Sequence, residues 1–288
     1  MNFLKKTLFI LSISLVTPLF AQSIDESLKT NPLLELGVNT KILGLKGNVL
    51  EMQEHIFVTD ALGRTSNDSA SVSNQYKFDQ NGFTKEIEET VRNVQSKKSF
   101  FSYTNKGYIS HIDIETTLKQ NSNDTTEAAI EKDPVFSTVD YKYVQKKNIL
   151  YKGEDFIAST PKKITKKEYF YHFNDGNQIF QIDFQTENSM TQYSYDSNGL
   201  IKESLTSKSG VASYKNGYKY DRNNRLVTIT TINSGNITKS PNEERIISYK
   251  VDAKGNITEK KIKSYQYSQE GKKIFVEGYL YLYNYTYL

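Results

Sequence analysis

Aspartates are the residues of this chain whose type and spacing most clearly suggest chemistry. Asp79, Asp196, Asp221 and Asp252 recur along the sequence, and a carboxylate can bind calcium, act as an acid or base, or accept hydrogen bonds from backbone amides. Each is followed three residues later by Gly or Asn, and none clusters with other acids at metal-ligand spacing. We therefore interpret them as turn residues, and we predict no metal site and no cofactor.

Histidines offer no better candidate for a catalytic or metal site. His55, His111 and His172 are far apart in the sequence, and the chain has no Cys. Zinc sites and activated nucleophiles both need such side chains grouped together. We interpret the three as strand-face residues.

Adjacent carboxylates are also poorly placed for acid and base work. Glu88 and Glu89 are neighbours in sequence, as are Glu243 and Glu244. On a strand, adjacent side chains point to opposite faces, whereas shared catalysis needs both groups at one bond. No nucleophile elbow, phosphate loop or dinucleotide motif is present either. The sequence thus predicts a protein that is not an enzyme, with no catalytic residue and an unknown ligand-binding site.

The turn interpretation rests on a segment that repeats, of which YSYDSNGLI at 193–201 is the clearest copy. Tyr193 and Tyr195 lie two apart and so share one strand face. Asp196 suits the first position of a type I turn, and Gly199 suits the left-handed position that closes a hairpin with a bulge. With this turn, Tyr195 should face Ile201 across the hairpin, a pairing that sheets favour.

Eight copies of this pattern span most of the chain. The eighth, YHFNDGNQI at 171, fits only if one turn residue is deleted. The other seven are YKFDQNGFT at 76, FSYTNKGYI at 101, YKYVQKKNI at 141, YSYDSNGLI at 193, YKYDRNNRL at 218, YKVDAKGNI at 249 and YQYSQEGKK at 265.

These elements predict an all-β fold, an antiparallel meander of repeated β-hairpins that forms a curved, twisted sheet. We expect more than a dozen strands and almost no helix. The predicted organisation is a signal peptide at 1–21, an N-terminal segment at 22–44 with a short helix around 24–30, and a hairpin domain at 45–288 that begins with a strand at 45–58. The polar stretch 116–137 is predicted to be an exposed loop.

The YDSNGLI and YDRNNRL segments resemble the YD repeat of Rhs-type proteins, which are secreted or surface-exposed bacterial chains. The resemblance covers most of residues 76–288, and it implies successive hairpins in a curved sheet and a secreted setting. Large members enclose a toxin within a shell. This chain of 288 residues is too short for that and has no toxin domain after the repeats.

The N-terminus predicts export. Lys5 and Lys6 precede an apolar run that ends before Pro18, and Ala21 marks the expected cleavage site. The apolar run is shorter than the roughly 20 residues that span a bilayer, so no transmembrane segment is expected in the mature chain. With 35 basic and 33 acidic residues after cleavage, that chain is nearly neutral. We predict no nucleic-acid partner, and a location outside the cell, in the periplasm or on the cell surface.

The final segment, GYLYLYNYTYL, carries five alternating tyrosines from Tyr279 to Tyr287. One interpretation is the closing strand of an outer-membrane barrel. Earlier strands, however, carry Lys and Glu on both of their faces, which leaves no apolar face for lipid. We therefore favour a last strand that docks on the sheet and caps it.

Two functions fit the sequence. The first is a non-enzymatic scaffold of the envelope or the secreted fraction that makes structural or protein contacts. The alternative is a module that binds a glycan or an extended peptide through exposed tyrosines. Tyrosine rings facing solvent would favour binding, and rings buried against a second layer would favour the scaffold.

Overall fold

The protein is described by a computed structural model, which covers residues 31–67, 69–92, 94–120, 130–131, 133–159, 162–233 and 241–288. The described residues form seventeen strands and two 3-10 helices, at Pro32–Glu35 and Gln185–Glu187. The predicted helix at 24–30 lies outside the described residues. The strands are β1 Val49–Thr59, β2 Val72–Phe78, β3 Thr84–Val91, β4 Gln95–Tyr103, β5 Ile109–Gln120, β6 Ile130–Glu131, β7 Val135–Lys146, β8 Ile149–Ser159, β9 Lys162–Phe173, β10 Ile179–Phe184, β11 Ser189–Tyr195, β12 Ile201–Lys208, β13 Val211–Tyr220, β14 Leu226–Asn233, β15 Glu243–Val251, β16 Ile257–Tyr267 and β17 Lys273–Tyr287.

Sixteen of these strands form a closed antiparallel barrel. Each pairs with the next along the chain, and β5 pairs directly with β7 because the two-residue β6 contacts β5 alone. The ring closes where β1 pairs with β17, from Val49↔Tyr287 to Thr59↔Gly278. The prediction of an all-β antiparallel protein is confirmed, but the predicted open sheet is wrong. The tyrosine-rich last strand closes the ring instead of capping a sheet.

The tight turns have the predicted chemistry. Asp196 Oδ1 accepts hydrogen bonds from the backbone amides of Asn198 and Leu200, at 2.8 and 2.9 Å, and Gly199 has a φ of 78°. The carboxylates of Asp79, Asp221 and Asp252 accept bonds from the same two relative positions. Tyr195 pairs with Ile201, as expected. These aspartates therefore hold the backbone of their own turns.

Two details of the sequence prediction need correction. The segment at 171 needs no deletion, because Asn174 occupies the Asp position and accepts from the amides of Gly176 and Gln178, while Asn177 takes the left-handed conformation at a φ of 59°. Asparagine can replace both Asp and Gly because its short amide caps a turn and tolerates positive φ. The stretch 116–137 is also not all loop, since β5 extends to Gln120 and β7 begins at Val135.

Seven of the tight turns lie at the same end of the barrel, which we call the turn end. They connect β2 to β3, β4 to β5, β7 to β8, β9 to β10, β11 to β12, β13 to β14 and β15 to β16. At the opposite end, the loop end, β1 ends and β2 begins, β14 ends and β15 begins, and this end also carries the turn between β16 and β17.

The segment before β1 lies across the turn end. The carbonyl of Leu36 accepts a bond from the Ile109 amide at 2.8 Å, and the carbonyl of Val38 accepts one from the Thr84 hydroxyl at 2.8 Å. Further along, the Lys46 amide donates to Asn256 Oδ1 at 2.6 Å. The Leu36 side chain is buried against core residues of β8, β9 and β10. Residues 36–48, the cap segment, thus close this end of the barrel.

Each strand has one buried and one exposed face, and the buried face is the interior of the barrel. Core side chains such as Ile182, Ile229 and Ile262 are flanked along their strands by partly exposed residues. We call these the inner and outer faces. Among the described residues, no helix has the length and apolar character needed to cross a membrane.

Candidate functional site

A row of polar side chains crosses the inner face of four neighbouring strands. Glu54 on β1 lies opposite Asn74 on β2, Asn74 lies opposite Glu89 on β3, and Glu89 lies opposite Lys97 on β4. Glu54, Asn74 and Glu89 are 2, 4 and 0 % exposed. We call these four residues the interior polar row. Burial of so much polarity is costly unless each group finds a partner.

Hydrogen bonding in the interior polar row is incomplete. Asn74 Nδ2 donates to Glu54 Oε2 at 2.8 Å, and the Tyr283 hydroxyl on β17 also bonds to Glu54. Asn74 Oδ1 and both carboxylate oxygens of Glu89 are buried with no hydrogen-bond partner, as is the hydroxyl of the neighbouring Ser99. Buried polar atoms in this condition are rare in native proteins and often mark function.

Burial also shifts proton affinities in the interior polar row. It raises the pKa of Glu89, and the positive charge of Lys97 opposes this rise only in part. It lowers the pKa of Lys97 to about 8, against the opposing effect of Glu89. Both shifts have the same cause, because a dry interior disfavours either charged form.

A second polar cluster lies on the inner face of β7, β8 and β9. The Lys152 ammonium sits over the rings of Tyr141 and Tyr169, at 5.0 and 4.8 Å, and lies 4.0 Å from Glu154. Burial, with Glu154 adding to the effect, raises the pKa of Tyr141 well above its usual value. Aromatic faces and a carboxylate together stabilise this buried cation.

The tyrosines of the repeated segments have a further role near the turn end. Tyr220 on β13 donates its hydroxyl to the carbonyl of Ile201, the first residue of β12, at 2.9 Å. Four other tyrosines donate in the same way to the backbone carbonyl of the first residue of the strand that precedes their own in the chain. These bonds run from Tyr103 to Thr84, Tyr195 to Ile179, Tyr249 to Leu226 and Tyr285 to Ile257. We call these five bonds the tyrosine clamps. They join pairs of strands that no tight turn connects at this end.

The clamp series is interrupted between β5 and β7. There the corresponding ring is Tyr143, whose buried hydroxyl has no hydrogen-bond partner, although the ring packs on Tyr108 with centroids 5.1 Å apart. Phe173 holds the corresponding place on β9 and has no hydroxyl. Sequence reasoning identified these rings as packing residues and missed the clamps. Three of the clamps, at Tyr103, Tyr195 and Tyr220, use the second aromatic position of the repeat, where Tyr is more frequent than Phe, and this preference was the available signal. Tyr249 is the first residue of its copy, and Tyr285 lies outside the eight copies.

The tyrosines of β17 face inward, so they do not form the solvent-exposed row that a binding face would need. Tyr281 is 1 % exposed, and Tyr283 and Tyr285 pack on the core around Met52. Lys260 lies over the Tyr281 ring at 3.8 Å. These buried rings therefore do not provide the exposed tyrosine face that the binding alternative requires.

The outer face carries a series of cross-strand ion pairs. Lys77 bonds to Glu86 at 2.9 Å between β2 and β3, and Lys215 bonds to Glu203 at 2.8 Å between β12 and β13. Similar cross-strand pairs occur around the ring: Glu88 with Lys98, Asp155 with Lys142 and Lys166, Glu244 with Lys273, and Glu259 with Lys250. Glu259 also pairs with Lys261 on its own strand.

The histidines remain separate on the outer face, as expected. His55 bonds to the Ser73 hydroxyl at 3.0 Å, and His172 bonds to Asp183 at 2.8 Å. His111 lies between Asp140 and Asp113, at 2.7 and 3.0 Å, and these hydrogen bonds raise its pKa. Within the described ranges, no group of three or more His, Cys, Asp or Glu side chains could hold a metal ion.

The adjacent carboxylates also separate as expected. Glu88 pairs with Lys98 on the outer face, whereas Glu89 is fully buried on the inner face. The sequence pointed to Glu89 only as half of a pair. In β3, TKEIEETV, Glu89 is the one acidic residue among the positions that face the barrel interior. That placement was the available signal for the interior polar row.

An open pocket of about 150 Å³ lies at the turn end. It is bordered by the start of β1, the turn from Asp79 to Gly82, and Leu288. Its one acidic side chain, Asp79, already accepts bonds from the amides of Asn81 and Phe83. The pocket therefore brings together no set of groups for catalysis.

Comparisons with known proteins identify no family for this chain. No family model and no curated protein matches it. Among solved structures, it is similar to a porin-like protein from Bacteroides uniformis, with a TM-score of 0.36 and 7% identity over 84% of this chain and 99% of that one. It is also similar to a porin-like protein from Bacteroides vulgatus, with a TM-score of 0.34 and 10% identity over 83% of this chain and 99% of that one. The assignment to Rhs-type YD-repeat proteins is wrong, because the strands close into a sixteen-strand barrel.

Proposed function

We propose that the chain is a non-enzymatic scaffold of the cell envelope or the secreted fraction, whose barrel stands in water and makes its contacts through the loop end. The observation that carries this proposal is the ring of ion pairs on the outer face. Pairs such as Lys77–Glu86 and Lys215–Glu203 lie within the strands and face outward.

A membrane location for the strands conflicts with this outer face. A Lys or Arg on the lipid-facing surface of a barrel costs about 2–4 kcal/mol at the bilayer midplane. The outer face exposes many such charges, and they are interspersed with exposed apolar side chains such as Phe100, Phe180 and Ile246. Charged groups of this kind are stable where water can solvate them.

Closure explains how so large a sheet can remain soluble. An open meander would leave two strand edges with unpaired backbone groups, which recruit other chains. Pairing of β1 with β17 removes both edges. The barrel therefore presents no unpaired strand edge at this seam.

The first experiment tests the aqueous barrel. The chain from Gln22 onward is produced without detergent, and its sedimentation and its flotation with phospholipid vesicles are measured. We expect a folded, non-aggregated protein that stays out of the vesicle fraction. Folding that requires detergent, or flotation with the vesicles, would refute the proposal.

The second experiment tests export. The full chain is expressed in a Gram-negative host, and the N-terminus of the exported product is read by mass spectrometry. We expect a product that begins at Gln22 in the periplasmic or extracellular fraction. Retention of the intact N-terminus in the cytoplasm would contradict the envelope assignment.

A further inference from the structure

The middle of the interior polar row poses a bonding problem that the scaffold function does not explain. Asn74 Oδ1 on β2 and the carboxylate of Glu89 on β3 belong to directly opposed residues, and both are buried without partners. Oxygen atoms of an amide carbonyl and of an ionised carboxylate are both acceptors. Two opposed acceptors cannot bond to each other unless one of them carries a proton.

The orientation of Asn74 shows which group can carry it. Its Nδ2 donates to Glu54 Oε2 at 2.8 Å, which leaves Oδ1 without a donor. Reversing the amide would move the missing proton to Glu54. Glu54, however, already accepts the hydrogen of the Tyr283 hydroxyl, so its carboxyl group has a second donor besides Asn74. Glu89 has no such donor.

We propose that Glu89 is a proton-binding site: its protonated carboxyl donates a hydrogen bond to Asn74 Oδ1, and loss of the proton destabilises the wall formed by β2, β3 and β4. The row from Tyr283 through Glu54 and Asn74 to Glu89 then becomes one continuous chain of hydrogen bonds. The inference goes beyond the scaffold role, and it holds whether the barrel stands in water or not.

The surroundings of Glu89 support this inference. The charged and titratable inward groups on the surrounding strands include Lys97 and Tyr103 on β4, Tyr76 on β2, Glu54 on β1, Tyr281, Tyr283 and Tyr285 on β17, and Lys260 on β16. Burial raises the pKa of Glu89 despite Lys97. An ionised Glu89 would leave a buried carboxylate with no hydrogen-bond donor, opposite the Asn74 carbonyl oxygen.

The sign of the pH dependence follows from linkage. A carboxyl with a raised pKa binds its proton more tightly in the folded state than in the unfolded state. The contribution of Glu89 to stability is therefore complete below the unfolded value of about 4.3 and is lost as pH rises through the folded pKa. Lys97 acts in the opposite direction at higher pH, because its lowered pKa makes stability rise above about 8.

Infrared spectroscopy of the chain from Gln22 onward tests the proton directly. A protonated carboxyl has a carbonyl stretch distinct from the carboxylate bands, and comparison with Glu89→Gln isolates the signal of this one residue. An ordinary glutamate titrates near pH 4.3, and we expect the midpoint of Glu89 to lie above that value. A midpoint at or below that value would overturn the proposal.

Denaturant unfolding tests the consequence and has a matched control. Glutamine keeps a donor for Asn74 Oδ1 but cannot ionise, so Glu89→Gln should reduce the fall of the urea midpoint with rising pH. Glu86 lies on β3, like Glu89, but its carboxylate is on the outer face and pairs with Lys77 of β2. Glu86→Gln should therefore leave the slope of the urea midpoint against pH unchanged. An unchanged slope in Glu89→Gln would count against the proposal.

A buried cation is the competing explanation, since unpartnered oxygens can also hold one. Unfolding is therefore repeated with potassium, sodium and tetramethylammonium chloride at equal ionic strength. The proposal requires the same midpoint in all three salts. A midpoint that rises with potassium or sodium in the wild type but not in Glu89→Gln would assign the site to a metal cation and overturn the proton assignment.

Discussion

At the scale of single residues, the tyrosine clamps show why hydroxyl-bearing rings recur near the turn end. A phenylalanine would bury nearly the same apolar surface, but it could not satisfy the carbonyl of a neighbouring strand. In the Tyr220 clamp, that carbonyl belongs to Ile201, whose side chain is 1 % exposed. The same residue thus fills the core and holds two strands together.

Tyr220→Phe tests a single clamp. Removing the hydroxyl leaves the Ile201 carbonyl without this donor, and we expect a loss of about 1–2 kcal/mol in the free energy of unfolding. Tyr214→Phe is the control, because its ring is 39 % exposed, and it should change stability by less than about 0.5 kcal/mol. Urea unfolding of both variants measures the difference. Equal losses would show that the clamp contributes nothing.

His111 should make the stability of the protein depend on pH. Its bonds to Asp140 and Asp113 raise its pKa, so its contribution is complete below about pH 6.5 and is lost as pH rises through the higher folded value. His111→Gln should therefore destabilise the protein by up to about 1 kcal/mol near pH 6 and by less near pH 9. Urea unfolding at the two pH values measures this.

His55→Gln is the matched control, because that ring bonds to the Ser73 hydroxyl and not to a carboxylate. A His111→Gln effect that is equal at both pH values would contradict an ionic role for this histidine.

At the scale of elements, the cap segment is fitted closely to the turns that it covers. The amide of Thr40 donates to the carbonyl of Gly82 at 2.9 Å, and a Cβ atom on Gly82 would overlap the Thr40 hydroxyl. Gly82 also has a φ of 82°, a backbone conformation that suits glycine. The β2–β3 turn and the cap segment therefore constrain each other.

Gly82→Ala separates close packing from backbone strain when it is compared with Gly271→Ala. Gly271 has a similar φ of 78°, but nothing lies within 4 Å of an added Cβ. Both variants should lose about 1–2 kcal/mol through strain. Gly82→Ala should lose about 1–3 kcal/mol more through overlap with the cap segment. Thermal unfolding of the pair measures this, and equal losses would show that the segment can move away at little cost.

At the scale of the whole molecule, the sequence predicted what depends on local chemistry. In each tight turn, the carboxylate or amide of the first residue and the left-handed residue three positions later, such as Asp196 and Gly199, determine the backbone path over five residues. The turns, and the antiparallel strands that they join, could therefore be predicted. Closure could not, because β1 and β17 pair across more than 200 residues and no local pattern encodes that choice. The interior polar row was hidden for the same reason, since Glu54 and Glu89 become neighbours of Asn74 only through register.

Closure is also the whole-molecule feature that one engineered bond can test, because the chain contains no cysteine. His55 on β1 lies opposite Leu282 on β17, and both belong to the outer face. Opposed residues on neighbouring strands have Cβ atoms about 4.5–5.5 Å apart, close to the spacing of a disulfide. The variant His55→Cys with Leu282→Cys should therefore oxidise to an internal crosslink, seen as a mobility change on non-reducing electrophoresis.

The control variant keeps His55→Cys and places the second cysteine on β16 instead of β17, as Glu259→Cys. Glu259 on β16 lies opposite Leu282, so it is separated from His55 by the full width of β17. Two strand spacings amount to about 9.6 Å, beyond the reach of a disulfide. His55→Cys with Glu259→Cys should therefore stay reduced in dilute monomer. A crosslink in the first variant alone requires β1 and β17 to be neighbours, whereas failure of both would leave β1 and β17 as free edges and refute the closed barrel.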